Sequence, residues 1–114
     1  MTKAGEREVV RAEHVNGGAG YILKEALLNQ EEMGAHCRMF SKVVIPPGGE
    51  LGCHEHVGET ETYYILSGQG IYTDNGTELT AEAGDVFFCK DGDSHGLRNT
   101  GTEDIAFVAV ILKK

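Results

Sequence analysis

His54, His56, Glu61 and His95 are the residues of this chain best suited to chemistry. Three imidazoles and a carboxylate can converge on one divalent metal ion. Neutral imidazole with carboxylate suits borderline and harder ions such as manganese, iron, nickel, cobalt or zinc. If the ion prefers six-coordination, two positions stay open for water or substrate, as a catalytic metal requires. A His-x-His pair by itself would more often be two solvated or core histidines. Here the pair gains meaning from the carboxylate that follows and from the third imidazole further along.

The elements that must position these groups are strands. Side chains two apart share a face of a strand, so His54 and His56 project together. The five-residue step from His56 to Glu61 cannot hold one face without a turn, and Val57-Gly58-Glu59-Thr60 supplies one, with Gly58 free to take a positive φ. Glu61, Tyr63 and Ile65 then share the inward face of the next strand. Asp91-Gly92-Asp93-Ser94 is a turn-rich cluster that can deliver His95 from another strand. Tyr63 is the candidate for a supporting catalytic role, since it lies one pleat from Glu61 and could hydrogen-bond a metal-bound ligand. It could equally fill the interior.

Most of the remaining chain also reads as strand and turn. Cys37, Met39, Ser41, Val43 and Ile45 alternate with His36, Arg38, Phe40, Lys42 and Val44, and the first set should face inward. That alternation puts Arg38 outside, with Phe40 beside it. Asn75-Gly76 is a strong hairpin signal between 71–73 and 78–80. Residues 85–89 and 105–112 complete the set, the last apolar on both faces and so expected to be an interior strand covered on both sides. Residues 22–28 carry good helix formers, but glycines before and Asn29-Gln30 after leave a strand-length segment. We read it as a strand. The sum is an all-β, antiparallel sandwich or barrel.

Two blocks of this sequence resemble the signature motifs of the cupin superfamily. Gly48, His54, His56, Glu61 and Gly68 fill the first motif, and Gly84, Gly92, His95 and Asn99 fill the second. Lys90 stands where the family usually has proline, which costs a rigid turn and leaves the ligand frame intact. The resemblance implies a small antiparallel jelly-roll β-barrel with the metal inside. Residues 1–114 would be a single domain, with 36–112 as core barrel and 1–35 as an extension carrying extra strand. It also implies a homodimer, which would bury Phe40. Cupins with this three-His, one-Glu set include dioxygenases, oxalate oxidases and decarboxylases, and isomerases acting on small oxygenated molecules.

Bulk properties narrow the partners. Eighteen acidic against ten basic residues give a net charge of −8, which argues against nucleic acid and against anionic membrane surfaces. The polar N-terminus does not read as a secretory signal, and no apolar run is long enough to span a bilayer. Cys37, Cys53 and Cys89 fit free thiols, so a cytoplasmic location is expected. Three local features lead nowhere. Asn16-Gly17-Gly18-Ala19-Gly20 lacks the Gly-Lys-Ser/Thr ending of a phosphate loop. Cys53 should point away from a metal that His54 faces. Asp93-Ser94-His95 cannot form a triad from consecutive residues.

The function expected is that of a metal-dependent enzyme, with one divalent transition metal (Mn, Fe, Ni or Zn) held by His54, His56, Glu61 and His95. Its substrate would be a small oxygenated or carboxylate-bearing molecule, handled by dioxygenase, decarboxylase or isomerase chemistry. No general acid or base is evident beyond Tyr63. The alternative is a non-catalytic metal- or ligand-binding module, a sensor or store.

Overall fold

The computed structural model describes residues 1–114. Ten strands form two antiparallel sheets. The larger runs β1 (Val9–Glu13), β2 (Tyr21–Ala26), β3 (Cys37–Ile45), β10 (Ile105–Lys113), β5 (Glu59–Ser67) and β8 (Val86–Cys89) from edge to edge. The smaller runs β4 (Glu50–Glu55), β9 (Ser94–Arg98), β6 (Gln69–Asp74) and β7 (Thr77–Glu82). This is the expected all-β jelly roll, with one correction: the strand ladder does not close into a barrel. The two sheets face each other and share a core instead.

That core is built by the predicted alternation. Val43 and Ile45 on β3, Tyr63 and Ile65 on β5, and Phe107, Ala109 and Ile111 on β10 face Leu51, Tyr72 and Leu97 of the smaller sheet. β10 is an interior strand, paired with β3 on one side and β5 on the other. Its second face is not covered, however. Ala106, Val108 and Val110 are half-exposed and Leu112 is exposed, because no layer lies over the outside of the large sheet.

Residues 21–26 are strand, as read, since pairing with β3 outweighs their helix propensity. A four-residue helix, α1 (Gln30–Met33), follows and was not anticipated. Asn29 and Glu32 close a capping box around it, each side chain bonding the other's backbone N–H. The Asn75-Gly76 hairpin is present, both residues at positive φ, with Asp74 opposite Thr77. The turn before β5 is shorter than expected, because Glu59 and Thr60 already belong to the strand. Gly58, at φ 75°, makes that tighter turn possible.

Two β-bulges set the geometry of the interior. Opposite β10, Ile111 pairs with Met39 and Leu112 with Cys37, which leaves Arg38 as the extra residue. Opposite β9, Leu51 pairs with Leu97 and His54 with His95, so β4 spends three steps where β9 spends two. A bulge shifts the phase of alternation and re-aims the side chains around it. No helix is long and apolar enough to cross a membrane.

Candidate metal centre

The smaller sheet and the larger one each contribute to a single cluster. His54 on β4 lies directly opposite His95 on β9, and His56 follows just past the end of β4. Glu61 reaches across from β5 of the large sheet. His56, Glu61 and His95 are buried and His54 is half-buried. The His56 backbone is clamped by the turn before β9, donating to the Asp93 carbonyl at 3.0 Å and accepting from the Gly92 amide at 2.7 Å. Gly92 takes φ 90°, so the turn keeps its shape with Lys90 in place of a proline.

Each imidazole is oriented through Nδ1. His54 Nδ1 donates to the Gly52 carbonyl at 2.9 Å, a group that the β4 bulge leaves out of the ladder. His56 Nδ1 lies 2.8 Å from Glu59 Oε1, and His95 Nδ1 lies 2.9 Å from the Tyr72 hydroxyl. Glu59 is itself gripped at both oxygens by Arg38, at 2.7 Å each. That guanidinium, joined by the His56 imidazole, draws the Glu59 carboxyl down to about 2, so it is an ionised acceptor. A carbonyl and a carboxylate can only accept, so His54 and His56 must carry their hydrogens on Nδ1. Their Nε2 atoms then present lone pairs inward when the rings are neutral.

Those inward atoms crowd together. The three Nε2 atoms are 3.0 to 3.1 Å apart, and Glu61 Oε1 lies 2.9 Å from His56, 2.8 Å from His95 and 3.7 Å from His54. Acceptors held this close require positive charge among them, either protons or a metal ion. Two ligands about 2.1 Å from one ion and at right angles to each other stand about 3.0 Å apart. The donor set therefore fits a divalent transition metal in both chemistry and spacing. Burial would push the Glu61 carboxyl up, but the imidazoles of His54, His95 and His56 more than offset it and hold it at about 2. Glu61 in turn raises the His54 pKa, whereas burial lowers that of His95.

A cavity of about 240 Å³ opens beside the cluster. His54, His56, Glu61 and Tyr63 form its floor, Ile22, Met39, Leu51 and Ile111 its apolar walls, and Lys24, Arg38 and Asn16 also line it. Arg38 corrects the sequence reading, which placed it outside: the β3 bulge turns it towards this side. Tyr63 lies fully buried against the His95 ring, centroids 4.9 Å apart and nearly parallel. Burial first, and then the Glu61 charge, raise its pKa well above the usual value, so the phenol stays protonated. Glu59, Arg38 and Tyr72 were missed as supporting groups. Of these only Tyr72 carried a sequence signal, since a buried tyrosine seeks a partner for its hydroxyl.

His14 and His36 stand apart from the cluster, and Cys53 is exposed. All three cysteines are free thiols. Asn99 has a structural task, bonding the Ile45 and Glu103 carbonyls through Nδ2 and the Gly101 amide through Oδ1. A larger cleft of about 620 Å³, lined by Gly68, Gln69, Glu82 and Thr102 among others, contains none of the cluster.

The chain belongs to the cupin family, whose domain matches residues 41–111. An oxalate-binding protein of Thermotoga maritima is 40% identical over 112 residues, 98% of this chain and 93% of that protein. The crystal structure of a predicted oxalate decarboxylase from Thermotoga maritima superposes with a TM-score of 0.96 at 39% identity, covering 100% of this chain and 99% of that one. The cupin domain of Schizosaccharomyces pombe Cnp3, 18% identical with a TM-score of 0.75 over 94% of this chain and 70% of that one, shares the fold alone.

Proposed function

We propose that this cupin is a metal-dependent enzyme acting on a small carboxylate, with oxalate the first candidate. His54, His56, Glu61 and His95 would hold one divalent transition metal per chain, manganese, iron, nickel or zinc. The observation that carries the reading is the convergence of three Nε2 atoms and one carboxylate oxygen at about right-angle ligand spacing, beside a cavity large enough for a small acid. The two Thermotoga relatives named for oxalate add to it.

When bound, the metal would act as a Lewis acid that holds a carboxylate and stabilises negative charge developing on it. The chain's own residues do the rest. Gly52, Glu59 and Tyr72 fix the imidazole rings through Nδ1. Ile22, Met39, Leu51 and Ile111 exclude water from the walls. Tyr63 keeps its proton and is placed to donate a hydrogen bond inside the cavity. For oxalate, the balanced lyase reaction converts the hydrogen oxalate ion into carbon dioxide and formate.

A second reading is a non-catalytic carboxylate-binding module. It is favoured by the cavity's lack of any histidine or carboxyl group beyond the ligands. One experiment separates the two: metal-loaded protein and a His54→Ala/His56→Ala variant are incubated with oxalate while binding and formate are both measured. Formate from the wild type alone supports the enzyme. Binding without formate, lost in the variant, supports the module; no binding overturns both.

Residues 1–114 would act as one domain, with 36–112 the core and 1–35 the extension, in a cytoplasmic setting that suits three free thiols. The assembly proposed is a homodimer docked through the outside of the large sheet. There Phe40, Val110, Thr62 and Phe88 form one cross-strand row, and Phe88 and Val86 are about 60% exposed. An apolar stripe of this kind on both copies is self-complementary.

A further inference from the structure

Of the charged groups lining the cavity, Lys24 alone has no ion pair or side-chain hydrogen bond. Arg38 is committed to Glu59, and Glu61 to the imidazoles. Lys24 lies on the inward face of β2, two residues beyond buried Ile22, and is itself half-buried. A lysine is rarely drawn into an interior without a counter-ion. Lys24 and Arg38 offset Glu59 and Glu61, so with neutral imidazoles this set of groups has no net charge. A divalent cation at the cluster would leave two positive charges unbalanced. The cavity's 240 Å³ corresponds to roughly eight waters of liquid volume, more than the six non-hydrogen atoms of oxalate need. Ile22, Met39, Leu51 and Ile111 offer apolar walls that oxalate has no carbon chain to use.

We propose that Lys24 is a specificity-determining residue, and that the cavity takes a dianion with a short hydrocarbon spacer, one carboxylate at the metal cluster and the other at the Lys24 ammonium. This rests on the metal-carboxylate reading above but departs from its first candidate, oxalate, in favour of dicarboxylates with a short spacer.

The test is calorimetric titration of zinc-loaded wild type, Lys24→Met and Lys24→Arg with oxalate, succinate, glutarate and butyrate. Wild type should bind succinate or glutarate at least about tenfold more tightly than butyrate, the scale of one charge-assisted hydrogen bond. Lys24→Met should erase that preference while still binding zinc and butyrate, and Lys24→Arg should restore most of it. A preference that survives in Lys24→Met overturns the inference, as does a wild type that binds oxalate but does not favour the longer dianions. If no carboxylate binds the zinc-loaded wild type, the metal-carboxylate reading falls and this inference falls with it.

Discussion

Glu59 never faces the metal cluster, yet replacing it should weaken the site measurably. Its Oε1 lies 2.8 Å from His56 Nδ1, and it is the partner that fixes which nitrogen of His56 carries hydrogen. Glu59→Ala removes both the acceptor and the charge, freeing the ring to rotate or to take the wrong tautomer. Loss of such an outer partner typically costs about 10- to 100-fold in metal affinity, or about 1.4 to 2.8 kcal/mol. The structure favours the upper half of that range, because an acceptor and a charge are both lost from a ring that is 3% exposed. Glu59→Gln keeps an acceptor without the charge and should lose about tenfold or less. Arg38→Met leaves the carboxylate in place and should lose least. The assay is competition for zinc against a chromophoric chelator, with thermal unfolding of the metal-free proteins as a control. A Glu59→Ala affinity within about twofold of wild type would refute the idea that this contact orients His56.

Removing the His95 partner with Tyr72→Phe should likewise lower metal affinity by about tenfold or more in the same assay, without unfolding the protein. Metal binding should release protons and weaken as pH falls through the range in which His54 takes up its proton. Glu61 raises the folded His54 pKa above 6.5, so a His54 proton stabilises the metal-free fold below 6.5 and is lost as pH rises through that higher folded value. Calorimetry in buffers of different ionisation enthalpy measures that release. Glu61 shows the opposite sign: its carboxyl is depressed from 4.5 to about 2, so its contribution is complete above 4.5 and fades as pH falls towards 2. Acid melts of metal-free Glu61→Gln should therefore lack that part of the pH dependence. Phe88→Glu should shift the proposed dimer to monomer by light scattering while leaving metal affinity unchanged, because Phe88 lies on the outer face.

The sequence disclosed what depends on periodicity and on residue type. His54, His56, Glu61 and His95 come together because strand alternation and glycine turns act locally, and such signals survive in one dimension. The hairpin at Asn75-Gly76 was legible for the same reason. What stayed hidden was whatever depends on register between strands. Arg38 seemed to point outward because alternation was counted through a residue that the ladder skips. Glu59 was hidden because it lies in what looked like a turn, and the pairing of Tyr72 with His95 was hidden because it depends on the register of β6 against β9. The uncovered outer face of β10 was misjudged because apolar residues on both faces do not reveal whether a second layer exists.

The bulge in β4 makes the site sensitive to length in a way that it is not sensitive to chemistry. Cys53 is exposed, so many side chains could stand there at little cost. Deleting that one position is a different operation. It would return β4 to a regular ladder in which Leu51 and His54, which now both line the cavity, stand two apart and still share a face, but the backbone detour that aims the Gly52 carbonyl at His54 Nδ1 would be gone. The fold would keep both its core leucine and its histidine, with the imidazole no longer anchored through Nδ1. Designs that count straight alternation onward from Leu51 would put Cys53 inside and the first ligand outside, whereas a strand one residue shorter would keep the ligand and lose its anchor.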